Sequence, residues 1–277
     1  MSDQHKPPVI DNPWRVLRQY TDARIGLGRA GISLPTSEML EFQLAHARAR
    51  DAVHFPLDVE PLLAELTALE DKHLTGLPIR LHSQAEDRFT YLQRPDQGRK
   101  LSEASRNEVV ALADDIGEAF DLALVVVDGL SSSAVQNNAV PFIRAFLTDL
   151  DREPADLKLA PITVVEQGRV AIGDEIGEAL NARAVAVLIG ERPGLSSPDS
   201  LGVYLTWNPR PGLNDADRNC ISNVRPAGLR FESASQRLLY LVREAFRLKL
   251  SGVGLKDRTE EAAVVDASSD NKNFLTH

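Results

Sequence analysis

Apolar positions along this chain change their period once. Before about residue 102 they recur at three- and four-residue spacing, and after it they also gather into short unbroken runs separated by helical stretches. In the first part, Asn12 followed by Pro13 is a helix start, with Trp14, Leu17 and Thr21 on one face and a stop at the glycine-rich run Gly26–Gly31. A second helix is predicted with Ser37 as its cap and Met39, Phe42, Leu44 and Ala45 as its stripe, running through Ala52. Leu62, Leu63, Leu66 and Leu69 mark a third over Pro61–Glu70, and Phe89–Leu92 reads as a short strand before a turn at Arg94–Gly98.

The second part alternates. Helix Ser102–Ala119 leads to strand Ala123–Val127, helix Ala134–Asp149, strand Ile162–Glu166, helix Asp174–Asn181 and strand Val185–Ile189. Gly202–Trp207 supplies a further strand, Asn219–Arg225 an irregular section and Ser233–Lys249 a long final helix. Runs such as LALVVV and AVAVLI, apolar on both sides, belong to strands covered by helices on both faces. The predicted fold is therefore α/β, a mostly parallel Rossmann-like sheet flanked by helices and preceded by a smaller helical N-terminal region. The expected boundaries are a flexible arm over 1–13, the helical region over 14–101, the α/β domain over 102–253 and a disordered tail over 254–277.

Composition narrows the function. Over 277 residues the net charge is −9, which argues against a nucleic-acid groove, since phosphate neutralisation needs clustered Lys and Arg. No apolar run reaches the roughly 20 residues of a membrane span, and the opening MSDQHKPPVIDNPW lacks the apolar core of a signal peptide. The single Cys220 forms no intrachain disulfide framework. A cytoplasmic protein is expected.

Several motifs suggest chemistry that their context denies. The loops DGLSSSA and PGLSSPD hold serines but not G-x-S-x-G, and no His lies between His82 and His277 to act as base. Helix capping or contact with a ligand edge is the expected role. Gly26–Gly31 spells G-x-G-x-x-G but follows a helix rather than a strand, so it reads as an Arg-bearing connection between helices. Asp71-Lys72-His73-Leu74-Thr75-Gly76 matches the D-x-H-x-x-G by which one class of corrinoid proteins ligates cobalt. Here it lies well ahead of the α/β region, and His73 is expected in the last turn of a leucine-rich helix.

Other positions leave their role open. Cys220, with Asp217, Arg218, Ser222 and Asn223 around it, fits either a small buried hydrophobe or a ligand contact, and has no partners for a metal. Glu191–Arg192 fits a solvated pair or a ligand contact at a strand's carboxyl end, where α/β sheets bind ligands. Gly168-Arg169-Val170 fits a plain turn or part of the same rim.

From about Asp11 to Val253 the sequence resembles the small (light) subunit of ethanolamine ammonia-lyase. The resemblance is carried by ARIGLGRAG (Ala23–Gly31), YLQRPDQGRKL (Tyr91–Leu101), VVVDGLSSSAV (Val125–Val135) and QGRVAIGDEIGEALNA (Gln167–Ala182). It continues in IGERPGLSSPDSLGVYLTW (Ile189–Trp207), ADRNCISNVRPAGL (Ala216–Leu229) and LSGV (Leu250–Val253). It implies a component of an adenosylcobalamin-dependent enzyme that converts ethanolamine to acetaldehyde and ammonia. It further implies a hetero-oligomer with a large TIM-barrel subunit, and a cofactor bound base-on between the two, with 102–253 as the cobalamin-contacting domain. The family's cofactor contacts fall on Val170 in QGRV, Glu191 in GERPGL and Cys220 in RNCISN. No role is implied for residues after Val253, and a protein-shelled microcompartment or the open cytoplasm would suit equally. Two rival readings stand beside it: a free-standing α/β carrier of a corrinoid or nucleotide, and a scaffold that meets no ligand.

Overall fold

The apolar runs become the central strands of a six-stranded sheet in the order β1-β3-β2-β4-β5-β6. The computed structural model describes residues 9–152 and 157–257, so most of the expected arm, 1–8, and most of the expected tail, 258–277, lie outside the described residues. The strands are β1 (Ile79–His82), β2 (Phe120–Val127), β3 (Thr163–Glu166), β4 (Ala182–Gly190), β5 (Leu201–Trp207) and β6 (Arg218–Val224). The helices are α1 (Thr36–His54), α2 (Val59–Thr67), α3 (Arg88–Gln93), α4 (Glu103–Ile116), α5 (Ser132–Leu150), α6 (Ile172–Ala179) and α7 (Phe231–Leu248). The α/β class with a helical N-terminal region holds. Leu122, Leu124 and Val126 of β2 face a core with α2, α5 and α7, while Ala123, Val125 and Val127 face a second core with α4 and α6.

The sheet is mixed. β1, β3, β2 and β4 run parallel, but β5 pairs antiparallel with β4, and β6 antiparallel with β5. The reason is the connection: loop 191–200 carries no helix, and a parallel partner needs a long crossover. The section expected to be irregular near Asn219 is strand β6. Its Val224 and Ile221 face Leu201 and Val203, so three steps on β6 match two on β5 across a bulge, and strict alternation is lost.

Other elements depart from expectation for local reasons. Phe89–Leu92 is helical, because Asp87 caps α3 by accepting from the N–H of Thr90 at 2.7 Å. The predicted first helix is a 3-10 helix over Pro13–Tyr20 that buries no residue, with Asn12 capping it at Trp14 as expected. Ile10 exchanges two backbone hydrogen bonds with Arg29. α1 begins one residue before Ser37 and buries Ala45, Ala52 and Glu38, the last held by Arg18 at 2.6 Å; Met39, Phe42 and Leu44 stay exposed. α2 ends at Thr67, so His73 lies beyond it rather than in its last turn.

Candidate functional site

The carboxyl ends of β2, β3 and β4 meet at one rim, and a buried carboxylate holds it together. Asp128, just past β2, accepts from the backbone N–H of Gln167 at 2.9 Å and of Gly168 at 3.1 Å. The loop after β2 thereby fixes the loop after β3, at the point where the connections leave the sheet on opposite faces. Arg88 stands 3.5 Å from the same carboxylate and donates to the carbonyls of Gly129 (2.8 Å) and Val53 (2.6 Å). Burial pushes the Asp128 carboxyl up to about 6, while Arg88 and the backbone N–H donors oppose it, so it is ionised at neutral pH.

The loops after β2 and β4 cross in backbone contact. The N–H of Leu130 donates to the carbonyl of Gly190 at 2.9 Å. A Cβ on Gly129, whose φ is +59°, would strike that carbonyl, and one on Gly190 would strike the carbonyls of Ser131 and Asp128. Ser131 caps α5 at Ala134 and donates to the carbonyl of Pro198 at 2.8 Å, so the two similar Gly-Leu-Ser-Ser loops touch. The N-terminal region holds the same loop from outside: Arg24 donates to the carbonyl of Leu195 (3.3 Å) and Ser196 to that of Asp22 (3.3 Å).

Above this frame lies an open cavity of about 570 Å³. Val170, Leu130 and Ile189 give it an apolar floor, and Glu191, Tyr204 and Asn223 form one polar side. One Glu191 oxygen, Oε2, accepts from the backbone N–H of Asn223 at 3.1 Å, tying the end of β4 to the end of β6. Cys220 is exposed and lies outside the cavity lining, opposite Tyr204 across the β5–β6 pair, with Sγ 3.2 Å from Ser222 Oγ. Burial, and then the hydrogen bond with that thiol, hold the Tyr204 phenol above its usual range.

Two of the three residues named from sequence, Val170 and Glu191, therefore share one cavity, and Cys220 flanks it on the Tyr204 side. Tyr91, Arg225 and Tyr204, to which no sequence motif assigns a role, also line it. Their one signal was membership of the segments that carry the resemblance. Tyr91 is fully buried under the guanidinium groups of Arg169 (4.3 Å) and Arg88 (4.6 Å), and burial pushes its phenol up to about 12.

The other motifs lie elsewhere. His73 is buried at the amino end of the sheet, its Nδ1 3.0 Å from the carbonyl of Leu157 and its own carbonyl accepting from Leu159. That is the far end from the cavity. Gly26, Gly28 and Gly31 all adopt positive φ in a connection between two helices. Among the described residues no group of three or more His, Cys, Asp or Glu is placed to hold a metal ion, and no helix is long and apolar enough to cross a membrane.

Comparison with known proteins agrees over nearly the full length. Residues 11–256 match the model of the ethanolamine ammonia-lyase light chain family. The chain is 55% identical over 276 residues to an ethanolamine ammonia-lyase small subunit of Azotobacter vinelandii, covering 99% of this chain and 98% of that one. Small subunits of Pseudomonas aeruginosa (strain UCBPP-PA14) and Pseudomonas fluorescens (strain Pf0-1) are 52% and 53% identical, over 99% and 98% of this chain and 98% and 97% of theirs.

Proposed function

Since the chain belongs to the ethanolamine ammonia-lyase light chain family, we propose that it is the small subunit of an adenosylcobalamin-dependent enzyme that deaminates ethanolamine to acetaldehyde and ammonia. In this reading it forms one jaw of a cofactor clamp, and a large barrel-shaped subunit carrying the substrate site forms the other. The observation that carries it is the open cavity at the strands' carboxyl ends, with Val170 and Glu191 on its wall. Its 570 Å³ falls within the ~300–1,000 Å³ that enclose a drug-sized ligand. A corrinoid is larger, so this chain grips one edge and leaves the rest for a partner.

The residues fit that edge. Val170, part of the apolar floor, packs against hydrocarbon. Glu191 has one oxygen engaged by Asn223 and a second able to accept from a peripheral amide N–H. Cys220 makes a close contact only where the ligand extends past Tyr204 over β6. His73 stands at the opposite end of the sheet, which favours a cofactor that keeps its own lower base. When bound, the cofactor supplies radical chemistry by breaking its cobalt–carbon bond. This chain's residues orient the cofactor and screen it from water, so the chain alone is expected to be inert.

The test is an ethanolamine-dependent aldehyde assay on the large subunit with and without this chain. Activity should require both, and Glu191→Ala should raise the adenosylcobalamin concentration for half activity about tenfold, the loss of one amide-to-carboxylate hydrogen bond. Full activity without the chain, or an unchanged requirement in the variant, would sink the reading.

A further inference from the structure

The cavity holds more cationic donors than its own acceptors can use. Arg169, Arg192 and Arg225 line it against one carboxylate, Glu191, which already accepts from Asn223. The Arg225 side chain is only 12% exposed. Its Nε donates to Asn223 Oδ1 at 3.0 Å and its Nη1 lies 3.5 Å from Asp199, a carboxylate outside the lining. Among the described residues its Nη2 has no protein partner. Arg169 gives Nη2 to the carbonyl of Tyr91 at 3.1 Å, and among the described residues its Nε is buried without a partner. The hydroxyl of Tyr91, on the same wall and fully buried, is likewise unpartnered among the described residues. Three guanidinium groups facing an open cavity with one carboxylate leave donors, Arg225 Nη2 among them, for an acceptor from outside the chain.

Resting on the reading above, we propose that Arg225, Arg192 and Arg169 form a subsite for the phosphodiester of the cofactor's nucleotide tail. The peripheral amides of a corrinoid both donate and accept hydrogen bonds, so a polar but uncharged wall would serve them. The phosphodiester only accepts and carries a full negative charge, and guanidinium groups match its paired oxygens. The cavity thus offers guanidinium groups for the phosphate and, beside Arg225 and Arg192, the Glu191 carboxylate for amide N–H groups.

The experiment is equilibrium dialysis of the assembled two-subunit complex, in the dark, against adenosylcobalamin and adenosylcobinamide, which lacks the nucleotide and its phosphate. Arg225→Gln and Arg192→Gln should each weaken adenosylcobalamin about tenfold while leaving adenosylcobinamide within about twofold. Arg225→Lys should recover part of the loss by keeping the charge. Raising the salt concentration should weaken adenosylcobalamin in the wild type more than in the glutamine variants. Equal weakening of both ligands would mean that the arginines only shape the cavity, and no change in either would mean that they never meet the cofactor; both results overturn the proposal. A Glu191→Ala variant separates the two levels of inference. If it weakens both ligands while the arginine variants weaken neither, the clamp stands and the phosphate subsite falls. If no cavity variant alters either ligand, the clamp falls as well.

Discussion

Asp128 shows how one buried residue links stability to the rim. Its carboxyl ionises near 3.8 when solvated and near 6 in the fold, with burial as the main cause. A raised acid pKa means that the folded chain binds more protons between those values. Its contribution to stability is therefore fully present below about pH 4 and falls as pH rises to about 6, by an amount on the order of 3 kcal/mol. Urea unfolding of wild type and Asp128→Asn at about pH 4 and about pH 7 should show the wild-type advantage shrinking toward neutrality. An advantage that grows instead would contradict the assignment. Gly190 makes a steric prediction: Gly190→Ala forces a methyl into the carbonyls of Ser131 and Asp128. It should cost about 2 kcal/mol or more, a fall of roughly 5 °C in Tm. A variant that melts with the wild type would mean the crossing loops can separate.

Between elements, α6 and β6 are joined through the interior. Arg218 donates Nη1 and Nη2 to the two carboxylate oxygens of Asp174 at 2.6 and 2.7 Å, with a further bond to Thr206 Oγ1 at 3.0 Å, and both ionic side chains are 2% exposed. Asp174→Asn leaves a buried guanidinium uncompensated and should cost about 3–5 kcal/mol, whereas Asp174→Asn with Arg218→Met should recover much of it. Thermal melts of the wild type, Asp174→Asn, Arg218→Met and the double variant decide; additive losses would refute the coupling. The elements legible in sequence were those whose apolar pattern answers to a single requirement. β2 and β4, covered on both faces, read as unbroken runs, and α5 and α7 carried clear helical stripes. β1 was missed because two of its four residues, Arg80 and His82, are polar at a sheet edge. β6 was hidden by its bulge. In α3, Phe89 and Tyr91 imitate strand alternation, but only Tyr91 is buried, and the Asp87 cap decides the backbone. Of the candidate site, Val170 in the loop after β3 and Glu191 just past β4 could be placed on the rim, but the resemblance and not the local pattern singled them out. Tyr91 and Arg225 could not, since no local period says which loops a sheet will gather.

Across the whole molecule, the N-terminal region stands apart in how little of its apolar surface it buries. Trp14, Tyr20, Ile32 and Phe55 are all more than half exposed, although the two cores beneath are closed. A stable partner interface covers roughly 800 Å² on each side, and apolar side chains left this exposed suit a subunit that is not meant to remain alone. Co-expression with the large subunit should raise the soluble yield and abolish concentration-dependent aggregation of the isolated chain, as followed by size-exclusion chromatography. An isolated chain that stays monomeric and shows no affinity for the large subunit would count against the proposed assembly.

Where Gly129 lies against Gly190, two main chains touch with no side chain between them, so the inner wall cannot yield by a change of rotamer. The loops it joins must breathe together, and the amide of Leu130 should exchange with deuterium as slowly as the neighbouring strands. A bulky occupant then leaves only by the outer face, and on the proposed reading its residence time is governed by how often the other polypeptide lifts away.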